Sequence, residues 1–180
     1  MDEVRRVSDD WLAHKQVSEK GFSLGFFDPD YLLRFPLAAI EQEGRILAFA
    51  NLWPGPGKEE LSLDLMRFVE TDVKGLIDGL FVQVLLWGKE QGYRWFSLGM
   101  APLSGFEHHP LAPLWNRLGA LLFRYGEHFY NFQGLREFKE KFDPVWEPRY
   151  LASPGGLAAP IVLTRVASLV SGGMRGVLVK

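Results

Sequence analysis

Two periodicities meet in the first half of this chain, and their order restricts the fold more than any single residue does. Residues 37–53, LAAIEQEGRILAFANLW, alternate as two strands and break at Glu43-Gly44, a pair suited to a tight hairpin turn. PGPGK at 54–58 reads as a loop, and 61–68, LSLDLMRF, as a third strand. Regular alternation there puts Leu61, Leu63 and Leu65 on one face and Ser62, Asp64 and Met66 on the other. From 73 to 91 the period lengthens. Leu76, Leu80, Val84 and Trp87 recur at helical spacing, with Ile77, Phe81 and Leu85 beside them, and Gly92 ends the segment. A fourth strand is expected at 95–101, WFSLGMA. A hairpin, a strand, a wide-faced helix and a further strand predict an α/β fold, a mixed sheet with helices on both faces.

The flanks add helices to this frame. Residues 3–20 read as a polar helix with a thin stripe of Val4, Val7, Trp11, Leu12 and His14, stopped by Gly21. Asp28-Pro29-Asp30 signals a helix start, placing Tyr31, Leu32, Leu33 and Phe35 in a short helix. Further helices are expected at 111–125, 135–142 and 158–171, with extended pieces at 129–132 and 148–152. The helix at 158–171 is broadly apolar and precedes a basic tail, which suits either core packing or a bilayer interface.

Composition removes several classes of function. With no cysteine in 180 residues, disulfides, thiolate metal sites and cysteine nucleophiles are excluded. A net charge of −2 argues against broad non-specific nucleic-acid binding. The start, MDEVRRVSDDW, lacks the apolar segment of a cleaved leader. No apolar run approaches the roughly 18–20 residues needed to span a bilayer, so the chain is expected to be soluble or to lie on a membrane. His108 and His109 lack a third ligand on a regular element, and no metal site is expected. Neither a GxSxG elbow nor a phosphate-binding glycine loop occurs.

Three places carry candidate chemistry. Asp64 and Arg67 sit near the end of an otherwise apolar strand, three positions apart, and reach the same face only if the strand bulges near Leu65 or Met66, or ends there. They read either as a carboxylate and guanidinium that bind substrate or as a structural ion pair. In the helix after Gly134, Arg136, Lys139 and Glu140 share one face, while Leu135, Phe138 and Phe142 share another. Arg136 and Lys139 suit a phosphate or a solvated surface, and Glu137 and Lys141 are spaced as an i,i+4 pair. Glu127 and His128 open the aromatic run Phe129-Tyr130. The connection RFVETDVKG places Glu70 and Asp72 before the long helix and its only glycine late, a poor cradle for a pyrophosphate, so acetyl-CoA is disfavoured as a donor.

The segments FANLW at 49–53, DLMR at 64–67, QGYRWFSLGMAPLSG at 91–105 and GEHFYNFQGLREFKEKFDPVWEPRYLA at 126–152 together resemble the C-terminal catalytic region of the phosphatidylglycerol aminoacyltransferases, the lysyl- and alanyl-phosphatidylglycerol synthases of the multiple-peptide-resistance-factor type, with alanyl members closest. The resemblance implies a GNAT-like acyltransferase fold over 21–180, the second of two such folds, with 1–20 as part of a helix linking them. It implies aminoacyl-tRNA as donor, phosphatidylglycerol at the cytoplasmic face of the membrane as acceptor, no cofactor, and a first fold and an integral-membrane region as companions. Asp64 and Arg67 match the family's substrate-site pair, with Tyr31 and Lys139 at further positions associated with activity. Glu127 and Arg136 are added from the residue patterns alone. Two other readings stay open, a soluble aminoacyl-tRNA-dependent transferase to a peptide or peptidoglycan precursor, and a non-catalytic half-module.

Overall fold

The computed structural model describes residues 1–15, 26–101 and 132–150, with single positions between 152 and 166. The chain divides into two compact units, Met1–Ser97 with Leu151–Lys180, and Leu98–Tyr150.

The first unit is built on a four-stranded mixed sheet of β1 (Leu37–Gln42), β2 (Arg45–Pro54), β3 (Glu60–Phe68) and β4 (Trp95–Ser97), lying side by side in that order. β1 and β2 pair antiparallel, as do β2 and β3, and β4 is parallel to β3. Helix α1 (Asp2–Lys15) and the one-turn α2 (Pro29–Leu32) precede the sheet, and α3 (Leu76–Glu90) crosses from β3 to β4. The β1–β2 turn has Glu43 at φ 53° and Gly44 at φ 77°, the two positive values that a two-residue hairpin of matching twist requires. A short 3₁₀ turn, Pro56–Lys58, joins β2 to β3.

Each sheet face buries its own cluster. On one, Ala48, Ala50 and Leu52 of β2 and Leu61 of β3 pack against Leu76, Leu80 and Val84 of α3. Each fully buried large aliphatic side chain contributes about 1.5–3 kcal/mol, so this layer is a large source of stability. Gly88 lets α3 lie close to the sheet, since a Cβ there would sit 2.9 Å from Leu61 Cδ2. On the other face, Phe49 and Leu65 pack with Val4 and Val7 of α1 and Leu32 of α2. Arg6 ties α1 to the sheet by donating from Nη2 to the Ile46 carbonyl at 2.8 Å.

The third strand departs from regular alternation. Ala50 pairs with Met66 and Leu52 with Leu63, so Asn51 alone faces both Asp64 and Leu65. This two-against-one bulge reverses the facing of everything beyond it. Leu61, Leu63, Met66 and Phe68 therefore pack on the α3 side, while Leu65 joins the α1 side. The sequence expectation of Leu65 beside Leu61 and Met66 beside Asp64 is corrected accordingly.

Other boundaries differ for local reasons. α3 begins at Leu76 rather than 73, because Gly75 at its N-cap adopts φ 71°. β4 is three residues long instead of seven. Phe132 starts a helix, α4 (Phe132–Glu140), where an extended piece was expected to end. His14 leaves the apolar stripe of α1 and lies exposed, 2.9 Å from Glu70. Positions 158, 161, 162, 165 and 166 are helical, with Ile161, Val162 and Val166 substantially exposed. The expected helix at 111–125 lies outside the described residues. Among the described residues, no helix is long and apolar enough to cross a membrane.

Candidate functional site

Three side chains from separate elements meet on the α1–α2 face of the sheet. Asp28 caps α2, its Oδ1 accepting from the backbone N–H of Asp30 at 2.9 Å and of Tyr31 at 3.2 Å. That cap, followed by Pro29, fixes the single turn that carries Tyr31 over the sheet. The Tyr31 hydroxyl donates to Asp64 Oδ2 at 2.8 Å, and the Trp53 indole N–H donates to the same hydroxyl at 2.6 Å. Since an indole nitrogen only donates, the phenolic proton is committed to the carboxylate. Burial and then the bond to Asp64 raise the Tyr31 pKa above its ordinary value, while the Trp53 N–H and the Asn51 amide oppose the rise. Tyr31 is neutral at physiological pH on either account.

The other oxygen of the carboxylate, Asp64 Oδ1, is buried and accepts no hydrogen bond among the described residues. Asn51 is fully buried at the bulge, and its Oδ1 accepts from the Leu65 backbone N–H at 2.7 Å. Its Nδ2 is also buried and makes no hydrogen bond of ordinary geometry. An anchored carboxylate with one open, desolvated oxygen is suited to an ammonium, whose N–H groups supply the missing donors.

The bulge brings Arg67 onto the face that carries Asp64, but the guanidinium turns to α1. Arg67 Nη1 donates to Ser8 Oγ at 2.9 Å, and the guanidinium stacks over the Trp11 ring, 4.9 Å from its centroid. Arg67 is buried. An Arg used this way holds α1 on the sheet through a planar stack that Lys does not reproduce.

Arg136 and Lys139 belong to the second unit, where α4 separates their roles. Arg136 is half-buried, pairs with Glu140 at 3.1 Å, and lies 4.9 Å from the Trp146 ring centroid. Trp146 Nε1 donates to the same Glu140 oxygen. Lys139 is buried, and its ammonium donates to the Met100 carbonyl at 2.8 Å. Burial pushes its pKa below the usual lysine value. Glu127 lies outside the described residues. No group of three or more potential metal ligands occurs among the described residues.

Sequence reasoning passed over Asn51, Trp53, Ser8 and Trp11. The signal for Asn51 was present, one amide inside the apolar run LAFANLW. Trp11 reads in the sequence only as part of the apolar stripe of α1 and Ser8 carries no signal, because their role beside Arg67 appears only once α1 is placed on the bulged strand.

Residues 1–153 match the family described as phosphatidylglycerol lysyltransferase, C-terminal. The phosphatidylglycerol lysyltransferase of Bacillus subtilis (strain 168) is 41% identical over 172 residues, covering 94% of this chain and 20% of the relative. That of Staphylococcus aureus (strain COL) is 40% identical over 152 residues, covering 84% of this chain and 18% of the relative. Among solved structures, the C-terminal domain of a proposed lysylphosphatidylglycerol synthetase from Agrobacterium fabrum superposes with a TM-score of 0.79 at 48% identity, covering 98% of this chain and 52% of that one. L-PGS from Bacillus licheniformis gives a TM-score of 0.71 at 43% identity, covering 94% of this chain and 50% of that one. The chain thus spans about a fifth of its curated relatives and about half of the solved ones, and it belongs to the phosphatidylglycerol lysyltransferase C-terminal family.

Proposed function

We propose that this chain forms part of an aminoacyltransferase that moves an aminoacyl group, lysyl in the first instance, from aminoacyl-tRNA to a glycerol hydroxyl of phosphatidylglycerol. One observation carries the site assignment. The Asp64 carboxylate is held on one oxygen by Tyr31 and left open on its other, buried oxygen. An ammonium there gains a charge-assisted contact, worth about 1.5–3 kcal/mol, and completes a polar group that is otherwise desolvated without compensation. The names of the relatives support a lipid acceptor and a lysyl group. The absence of a glycine cradle before α3, where exposed Glu70 pairs with His14, favours a donor other than a CoA thioester.

In the reaction the glycerol oxygen attacks the ester carbonyl carbon of the donor. The bond from that carbon to the ribose oxygen breaks, and the proton of the glycerol hydroxyl ends on the departing ribose oxygen. The ester is already activated, so holding the aminoacyl head still supplies much of the rate. The buried Lys139 ammonium is the candidate for binding phosphate, and Arg67 keeps α1 on the face that carries Asp64. The proposed place of action is the cytoplasmic side of the membrane, where aminoacyl-tRNA and lipid meet.

The test is Asp64→Asn in the full-length protein, with labelled lysyl-tRNA and alanyl-tRNA supplied separately and lipids extracted. Loss of aminoacyl-phosphatidylglycerol with retained expression is expected. Wild-type lipid yield from Asp64→Asn overturns the assignment, and the preferred tRNA decides between lysyl and alanyl transfer.

A further inference from the structure

We infer that Asn51 is a second substrate-contacting residue, whose side-chain NH₂ holds the carbonyl oxygen of the same aminoacyl group whose ammonium sits on Asp64. The inference rests on the proposed role of Asp64 and deepens it.

Asn51 and Asp64 face each other across the β2–β3 bulge. Both approach the Tyr31 hydroxyl, Asp64 by accepting its proton at 2.8 Å and Asn51 by presenting its amide to the phenolic oxygen. Each keeps one buried atom without a hydrogen bond of ordinary geometry, an acceptor in Asp64 Oδ1 and a donor in Asn51 Nδ2, whose approach to the phenolic oxygen falls short of one. Buried polar atoms in native folds are paired in the great majority of cases, and two open atoms of opposite kind around one hydroxyl are the imprint of a ligand with both an adjacent donor and acceptor. An α-aminoacyl group is such a ligand, with its ammonium and its carbonyl oxygen on neighbouring carbons. Asn51 cannot turn away to satisfy itself, because its Oδ1 is tied to the Leu65 N–H. The hydrogen-bonded chain runs from partly exposed Trp53 through half-buried Tyr31 to Asp64, so these two rings lie between solvent and the carboxylate.

This subsite reads the part common to all amino acids. It follows that Asn51 and Asp64 do not select lysine over alanine, and that the choice is made by groups that meet the side chain.

The experiment titrates this 180-residue chain by NMR with three probes: alaninamide, lysinamide, and 3-methylbutan-2-amine, which has the shape of alaninamide without its carbonyl or amide nitrogen. The wild-type chain is expected to bind alaninamide on the order of tenfold more tightly than the amine. Asn51→Asp keeps an acceptor for the Leu65 N–H and removes the donor, so the ratio of amide to amine affinity falls toward unity, and lysinamide loses by the same factor. In the wild type, the Asn51 side-chain NH₂ resonances shift on addition of alaninamide, a readout that needs no variant. An unchanged ratio in Asn51→Asp, or unmoved Asn51 resonances, overturns the inference. Asp64→Asn separates the two levels. If it abolishes binding of all three probes while Asn51→Asp changes nothing, only the role of Asn51 falls; if Asp64→Asn binds them like wild type, the ammonium site itself is wrong.

Discussion

Replacing Tyr31 by Phe removes one hydroxyl and asks what Asp64 is worth without its anchor. The lost contact is a 2.8 Å hydrogen bond to a carboxylate oxygen. Bonds to charged groups contribute about 1.5–3 kcal/mol net, against about 1 for neutral pairs. Two features place the expected cost within that range. Asp64 Oδ1 already lacks a partner among the described residues, so Tyr31→Phe leaves the whole carboxylate without a side-chain donor there. Trp53, which loses its acceptor, is partly exposed, so its N–H recovers water at little cost. Urea unfolding at neutral pH should therefore show Tyr31→Phe destabilised by about 1.5–3 kcal/mol, a fall in melting temperature of roughly 2–4 °C per kcal/mol for a chain of this size. A cycle with Asp64→Asn should give most of that energy as coupling. The pH dependence has a definite sign. The folded pKa of Tyr31 is raised, so its contribution is complete below about pH 10, the unfolded value, and is lost as pH rises through the folded value. Tyr31→Phe should flatten that alkaline loss. A variant within 0.5 kcal/mol of wild type, with coupling near zero, would show that the 2.8 Å contact does not organise Asp64.

Asp28→Ala removes the acceptor of two N–H groups in α2 and should cost about 1 kcal/mol, with a larger relative fall in probe binding than in stability because the capped turn carries Tyr31; circular dichroism melts and NMR titration check both. Arg67→Lys keeps the charge but loses the stack on Trp11 and the fixed fork toward Ser8, and should destabilise by about 1–3 kcal/mol in denaturant melts. Lys139 has a lowered folded pKa, so its burial disfavours the fold at neutral pH, and stability should recover as pH rises through that folded value toward the unfolded value near 10.4. Lys139→Met should remove this rise, measured as the change in urea midpoint between pH 7 and pH 10.

The order of elements was legible because it depends on period and punctuation. Glu43-Gly44, the spacing of Leu76, Leu80 and Val84, and Asp28-Pro29 each state a local preference that the fold obeys. What failed was facing, not existence. A bulge is a difference in count between two strands, and no residue in LSLDLMRF announces it, so Leu65 was placed on the wrong side of the sheet. The sequence did supply the condition, since Asp64 and Arg67 share a face only if the strand bulges. It could not supply their neighbours. Tyr31 lies 33 positions from Asp64, and Ser8 lies 59 from Arg67. Such contacts are set by which helix lies on which face, a tertiary fact that local pattern does not encode. His14 was misread for a similar reason, because a histidine near an apolar stripe carries no information about the Glu70 it meets after folding.

The bulge also explains why the two faces of one sheet serve different ends. Toward α3 the sheet presents Ala48, Ala50, Leu52, Leu61, Leu63 and Met66, with no charged group in the buried cluster. Toward α1 and α2 it presents Phe49 and Leu65 among Asn51, Asp64 and Arg67, three polar side chains whose burial opposes folding unless each is satisfied. A regular β3 would have divided Asp64 and Arg67 between the faces and carried one of them into the α3 core. One extra residue opposite Asn51 moves both to the same side and leaves the α3 layer apolar. The apolar clusters on both faces offset the cost of keeping a carboxylate oxygen and an amide NH₂ open, a local cost that persists only because the surrounding structure over-determines it. Polar residues kept at such expense on one face, with none in the buried cluster of the other among the described residues, support the proposed placement of the site on the side of α1 and α2.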